Sequence, residues 1–70
     1  MTQVHEQTKL WAREQCDQIL TALVGPALVE RWWLSPNKQF NFLLPEQLWE
    51  TEDWIKVYNY LKDQLNSEYS

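Results

Sequence analysis

Apolar side chains recur at helical spacing through the first third of the chain. The recurring positions are Val4, Thr8, Trp11, Cys16, Ile19, Leu20 and Leu23. Residues three or four apart share one face of an α-helix, so this pattern predicts a helix from about Val4 to Val24. Gly25 and Pro26 end it, because glycine adopts the left-handed conformation of a helix end and proline cannot continue the helix. A mixed-sign stripe is predicted to face solvent: Glu6, Lys9, Arg13 and Asp17.

A second, shorter helix is predicted from Pro26 to about Leu34, because proline needs no hydrogen-bond partner in a first turn. Leu28, Val29, Trp32 and Trp33 lie on one broad side of this helix. Neighbouring residues on a helix point about 100° apart, so the two tryptophans cannot both lie at the centre of one apolar stripe. We assign Trp33 to the core and expect Trp32 to face a second surface.

The turn Ser35-Pro36-Asn37 ends this helix, since proline disfavours helical backbone at the residue before it. Within residues 38–44, positions 39–42 alternate between polar and apolar side chains, which is compatible with a short extended segment. A lone strand cannot satisfy its own hydrogen bonds. We therefore predict an irregular loop held in place by Phe40 and Phe42.

The last third of the chain predicts two further helices. Pro45 begins a short one, residues 45–50, and Thr51 resembles the N-cap of a longer one from about Glu52 to Asn66. The buried stripe of the longer helix is Trp54, Val57, Tyr58, Leu61 and Leu65. The predicted fold is all-α: a small bundle of one long N-terminal helix, two short helices and a C-terminal helix. We expect one domain, residues 1–70.

The charge balance narrows the choice of partner. The chain has 10 acidic and 6 basic residues, for a net charge of −4. Binding to nucleic acid or to anionic membranes relies on Lys and Arg, so we expect neither partner. No apolar run is long enough to span a bilayer, and the N-terminus is polar rather than signal-like. We expect a cytoplasmic protein of a bacterium or of a bacterial virus.

The residues needed for catalysis are scarce. The chain has one histidine, one cysteine and one glycine, which excludes a glycine-rich phosphate loop and an ordinary Cys/His metal cluster. His5 lies in a polar segment and is predicted to be solvated, whereas Cys16 lies on an apolar stripe and is predicted to be a buried structural thiol. We therefore expect no enzymatic activity, no cofactor and no metal.

The high aromatic content, which includes five tryptophans, indicates protein binding. Tryptophan, tyrosine and arginine dominate the energetic hot spots of protein interfaces. We assign Trp33 and Trp54 to the core and expect a partner to contact the Trp32 face, the loop aromatics and the short helix after Pro45. The candidate partner-binding residues are Trp32, Asn37, Lys38, Phe40, Phe42, Pro45 and Trp49.

The segment from Arg31 to Leu61 resembles the C-terminal, toxin-binding domain of the MbcA/ParS/Xre antitoxin family, and the looser likeness covers residues 26–66. The matching positions of the first half are Trp33, Leu34, Pro36 and Asn37. Those of the second half are Pro45, Leu48 and Thr51, followed by Val57 and Leu61 in the last helix. Trp49 replaces a leucine. The family usually has glycines in the loop before the proline, where this chain has Phe42, Leu43 and Leu44, and a glycine where this chain has Trp54.

The resemblance implies a toxin-neutralising module that pairs with itself and occludes the active site of a RES-domain toxin that consumes NAD. The helix-turn-helix domain usual in the family is not expected here. Two alternatives stay open. The chain is also consistent with a small phage or mobile-element protein that inhibits a host defence or regulatory protein, and with a self-assembling structural subunit.

Overall fold

The computed structural model describes the backbone of residues 2–69 and the side chains of residues 7–67. Its α-helices are α1 (Thr2–Val24), α2 (Val29–Trp33), α3 (Pro45–Trp49) and α4 (Trp54–Tyr69). A short 3₁₀ helix, Pro26–Leu28, precedes α2. A second, Lys38–Phe40, lies in the loop before α3. Within residues 2–69 there is no β-strand, only an isolated bridge between Asn37 and Leu43. The predicted all-α bundle is confirmed.

The predicted helix boundaries hold within a few residues. Gly25 has a φ of 89° and ends α1 as expected, but the turn after Pro26 is 3₁₀ rather than α, so the predicted second helix is divided. The helix α4 begins at Trp54, two residues later than predicted. Thr51 lies three residues before α4 and still makes the predicted type of cap contact, since its hydroxyl accepts from the Asp53 N–H at 3.0 Å. The predictions for the side chains of Val4, His5 and Glu6 lie outside the described residues.

The core lies mainly between α1 and α4, the two long helices. From α1 it takes Ala12, Cys16, Ile19 and Leu20, and from α4 it takes Trp54, Val57 and Leu61. The prediction for α4 is confirmed, with Tyr58 and Leu65 half-buried at the edge of its stripe. The prediction for α1 is wrong at Thr8 and Trp11, which are exposed, because the buried face is centred on Ala12 and Cys16. The Trp11 ring instead contacts Tyr58 at the surface, with the ring centroids 5.9 Å apart.

Aromatic rings form a continuous chain of contacts through the molecule. Successive ring centroids lie 5.3–6.4 Å apart along the series Trp54, Trp49, Trp33, Trp32, Phe40 and Tyr60. Most of these pairs meet edge to face, the arrangement that aromatic quadrupoles favour. The series starts on α4, passes through α3, α2 and the loop, and returns to α4. It therefore attaches the short elements to α4.

Arg13 of α1 lies at the junction with the two short helices. Its guanidinium carbon is 3.7 Å from the centre of the Trp33 ring. Its Nη2 and Nη1 donate to the Glu46 carboxylate at 2.8 and 3.4 Å. The Trp33 indole N–H donates to Asp17 Oδ1 at 2.8 Å. The predicted solvated stripe is therefore wrong at Arg13, which is half-buried against partners from distant parts of the chain. The Asp17 side chain stays 48% exposed, as predicted, although it accepts a hydrogen bond from Trp33.

We expect Arg13→Lys to lower the free energy of unfolding by about 1–2 kcal/mol, since lysine keeps the charge but loses the planar stacking and the paired hydrogen bonds. Chemical denaturation of Arg13→Lys, Glu46→Gln and the double variant measures the coupling. Arg31→Lys is the control at an exposed arginine and should change stability by less than about 0.5 kcal/mol. Strictly additive effects of the Arg13 and Glu46 changes would contradict the assigned pairing.

Candidate partner-binding surface

The helix α2 has apolar residues on two faces. Val29 and Trp33 point into the core, and Trp33 is only 2% exposed. The other side has Arg31 and Trp32 of α2, and Leu28 and Ser35, which flank the helix, continue the same stripe with the spacing i, i+3, i+4 and i+7. The sequence-based expectation that Trp33 is buried and Trp32 faces a second surface is confirmed.

This outer stripe and Val24, at the end of α1, line a shallow groove of about 260 Å³, here called the Trp32 groove. Its wall is mainly apolar, because Val24 and Leu28 are 39% and 45% exposed and Trp32 forms one side. Arg31 is the only lining residue with an ionisable side chain. The groove thus combines an apolar wall with one positive charge.

Trp32 belongs to both the core and the surface. Its ring meets Trp33 edge to face at 5.3 Å and Phe40 at 6.4 Å, and the side chain is half-buried against the core. These contacts hold the exposed side of the ring in one orientation. A partner that binds here would lose little free energy in ordering this side chain.

Asn37 organises the loop between α2 and α3. Its side-chain oxygen accepts from the Gln39 N–H, and its carbonyl oxygen accepts from the N–H groups of Phe40 and Phe42, all at 2.9 Å. Its own N–H donates to Leu43 O at 3.1 Å and closes the loop. The loop is therefore hydrogen-bonded rather than loose.

Phe42 lies at the tip of this loop in a costly conformation. Asn41 and Phe42 have positive φ values of 56° and 65°. Asparagine tolerates left-handed backbone, whereas a bulky residue there is an outlier. The side chain of Phe42 is also 68% exposed, so no packing in the described structure offsets the strain. The prediction that both loop aromatics hold the loop in place is confirmed for Phe40, which is buried, and is wrong for Phe42.

Three of the seven predicted partner-binding residues are buried, and the other four are accessible. The side chains of Phe40, Pro45 and Trp49 lie in the core and offer little surface to a partner. We therefore exclude these three residues from the candidate surface, because they pack in the core below it. The accessible residues are Trp32, Asn37, Lys38 and Phe42.

Sequence reasoning missed Val24, Leu28 and Arg31 as surface residues. The sequence prediction places Leu28 with the apolar residues of its helix. The spacing of Leu28, Arg31, Trp32 and Ser35 is the signal that separates Leu28 from the buried face of that helix. Val24 joins the groove only through the packing of α1 beside α2. Leu43, at the loop tip, is also exposed, at 45%.

Cys16, the thiol of α1, lies in the core. It is fully buried, and burial, together with the nearby Asp17 carboxylate, raises its pKa to about 12, against a smaller opposing effect of Arg13. A thiol in this environment is protonated and unreactive at neutral pH.

Among residues 7–67 no group of His, Cys, Asp and Glu side chains is arranged to hold a metal ion. In the part of the chain that the structure describes, no helix is long and apolar enough to cross a bilayer.

No protein-family model, no curated protein and no solved structure matches this chain.

We predict that Phe42→Gly raises the free energy of unfolding by about 0.5–1 kcal/mol. Glycine relieves about 1–2 kcal/mol of left-handed strain and returns part of it through the greater freedom of the unfolded chain. Thermal and urea denaturation measure the change. Phe40→Gly is the matched control and should be strongly destabilising, because its ring is buried. A clear loss of stability in Phe42→Gly would show that the Phe42 ring supports the fold.

Cys16 should make stability sensitive to alkaline pH. Its pKa is raised from 9.0 in the ordinary thiol to about 12 in the folded protein, so above pH 9 the unfolded chain loses a proton that the folded chain keeps. This contribution is complete below about pH 9 and is lost as the pH rises toward 12. The stability of the native chain relative to Cys16→Ala should fall by about 1–2 kcal/mol between about pH 8 and about pH 10.5. A difference that stays constant over this range would contradict the assignment, since all other groups titrate in both proteins.

Proposed function

We propose that this chain is a non-catalytic protein-binding module, an antitoxin-like inhibitor that covers the active site of a partner protein. The observation that carries the proposal is the exposed Phe42 side chain on strained, left-handed backbone. Strain of this kind is concentrated at binding and switch sites, because folding stability alone would remove it. A partner that receives the ring supplies the stabilisation that the isolated chain lacks.

The surroundings of Phe42 support an inserting loop. The hydrogen bonds of Asn37 hold the loop in shape, and Phe40 anchors its base in the core. A rigid tip can enter a cleft with a small loss of conformational entropy. Leu43 directly follows Phe42, Lys38 begins the same loop four residues earlier, and both are exposed. The loop therefore offers both charge and apolar area to a partner.

The antitoxin form of the proposal comes from the family resemblance. Five of its matched positions are buried, as expected for residues that define a scaffold: Trp33, Pro45, Leu48, Val57 and Leu61. The matched residues Leu34, Pro36 and Thr51 are exposed. The family usually has glycines in the loop before the proline, and Phe42 has the positive φ that glycine favours. The backbone therefore has a glycine-like conformation in a part of the loop where the likeness to the family is weakest in sequence. This agreement supports the proposal that the scaffold serves the same kind of inhibition, against a RES-domain toxin that consumes NAD.

The test is co-expression with the protein encoded by the adjacent gene, followed by measurement of cell growth and of the NAD pool. We expect the native chain to relieve growth arrest, to preserve NAD if the partner is a RES-domain toxin, and to inhibit the purified partner. Phe42→Gly should keep its fold and bind about 10–100-fold more weakly, the size of an aromatic hot spot. Ile55→Ser, which removes an exposed apolar side chain from α4, is the matched control and should bind like the native chain.

Two results would count against the proposal. One is a neighbouring protein whose activity is unaffected by the native chain. The other is a sedimentation experiment without any partner in which the native chain self-associates and the Phe42→Gly variant is a monomer. That result would assign the surface to self-assembly.

A further inference from the structure

We propose that the Trp32 groove binds an acidic amphipathic helix of the partner. Apolar side chains of that helix would pack on Val24, Leu28 and Trp32, and one of its carboxylates would pair with Arg31. This inference rests on the proposed function and names the partner chemistry that a second part of the same surface would recognise.

The shape of the groove fits an amphipathic helix. The outer stripe of α2 and the end of α1 form its walls, with Leu28 and Trp32 one helical turn apart. A helix that enters an apolar groove contacts it through side chains at i, i+3, i+4 and i+7. The groove is shallow, at about 260 Å³, so it admits a few side chains rather than a whole folded element.

The charge of the groove selects an acidic occupant. Arg31 is exposed and forms an ion pair with none of the described residues, whereas its neighbour Glu30 lines the cleft on the opposite side of α2. Residues 24–44 contain Arg31 and Lys38 against Glu30 alone, for a net charge of +1 in a chain whose net charge is −4. The remaining residues therefore carry −5. An acidic partner segment is attracted to this region and repelled by the rest of the surface.

The same charges argue against a second copy as the occupant. A two-fold dimer formed through the groove would place the two Arg31 guanidinium groups near each other. The most acidic stretch of a second copy, residues 46–53, has Leu48 and Trp49 buried in its own core. That stretch therefore offers carboxylates without those apolar anchors.

Two helical peptides of about 16 residues, or roughly four turns, serve as probes. Both have leucines at i, i+3, i+4 and i+7, and they differ only in whether glutamate or lysine flanks the apolar face. We expect fluorescence anisotropy with the full chain to show the glutamate peptide binding at least about tenfold more tightly, and less so at high salt. Arg31→Glu should reverse the preference, and Leu28→Ser should weaken both peptides. Lys56→Glu changes net charge equally on α4 and is the control.

The inference is overturned if neither peptide binds, if both bind equally, or if Arg31→Glu leaves the preference unchanged. Leu28→Ser separates this inference from the proposed function. A variant that still inhibits the adjacent-gene partner as well as the native chain would exclude the groove but leave inhibition through Phe42 intact. Failure of inhibition by the native chain would reject the proposed function, while the peptide titration would still report on the groove. The inference is also overturned if the native chain self-associates without peptide and the Arg31→Glu and Leu28→Ser variants do not, because the groove would then bind a second copy.

Discussion

The stacking of Arg13 on Trp33 is the contact on which the arrangement of the short helices depends. One planar cation of α1 covers the Trp33 ring at 3.7 Å and binds the Glu46 carboxylate of α3. The helices α2 and α3 have only five residues each. Helices of that length do not form in isolation, because nucleation costs more than so few hydrogen bonds return. Their stability comes from tertiary contacts, and Arg13 contributes to both at once.

This constraint also creates the candidate surface. Once Trp33 is held under Arg13 with its indole N–H on Asp17, the rotation between adjacent helical residues directs Trp32 to another side. Leu28, one turn earlier, points the same way and completes the groove wall. The apolar exposure of α2 is thus the geometric consequence of how its inner face is fixed. A change that loosened Trp33 would disturb the groove without touching a partner.

The loop before α3 shows a different balance of local and functional demands. Asn37 and the buried Phe40 stabilise it, while Phe42 reduces its stability through left-handed backbone and an exposed ring. In a chain of 70 residues the folding margin is small, so an uncompensated cost is informative. The strain and the exposed apolar area occur at the same residue. The proposed insertion of Phe42 into a partner would account for both features together.

The sequence by itself determined the helical fold and most of its boundaries, because helical periodicity, Gly25 and the prolines act over a few residues. It also determined that Trp32 and Trp33 must separate, since helix geometry is local, and that Cys16 lies on an apolar face. The tertiary structure alone decided that Arg13 binds Glu46 and that Asp17 accepts from Trp33, because these partners are distant in the chain. It also decided that Phe40, Pro45 and Trp49 are buried while Phe42 is exposed. Aromatic residues are common both in cores and at interfaces, and only the packing of neighbouring elements determines which of them are buried.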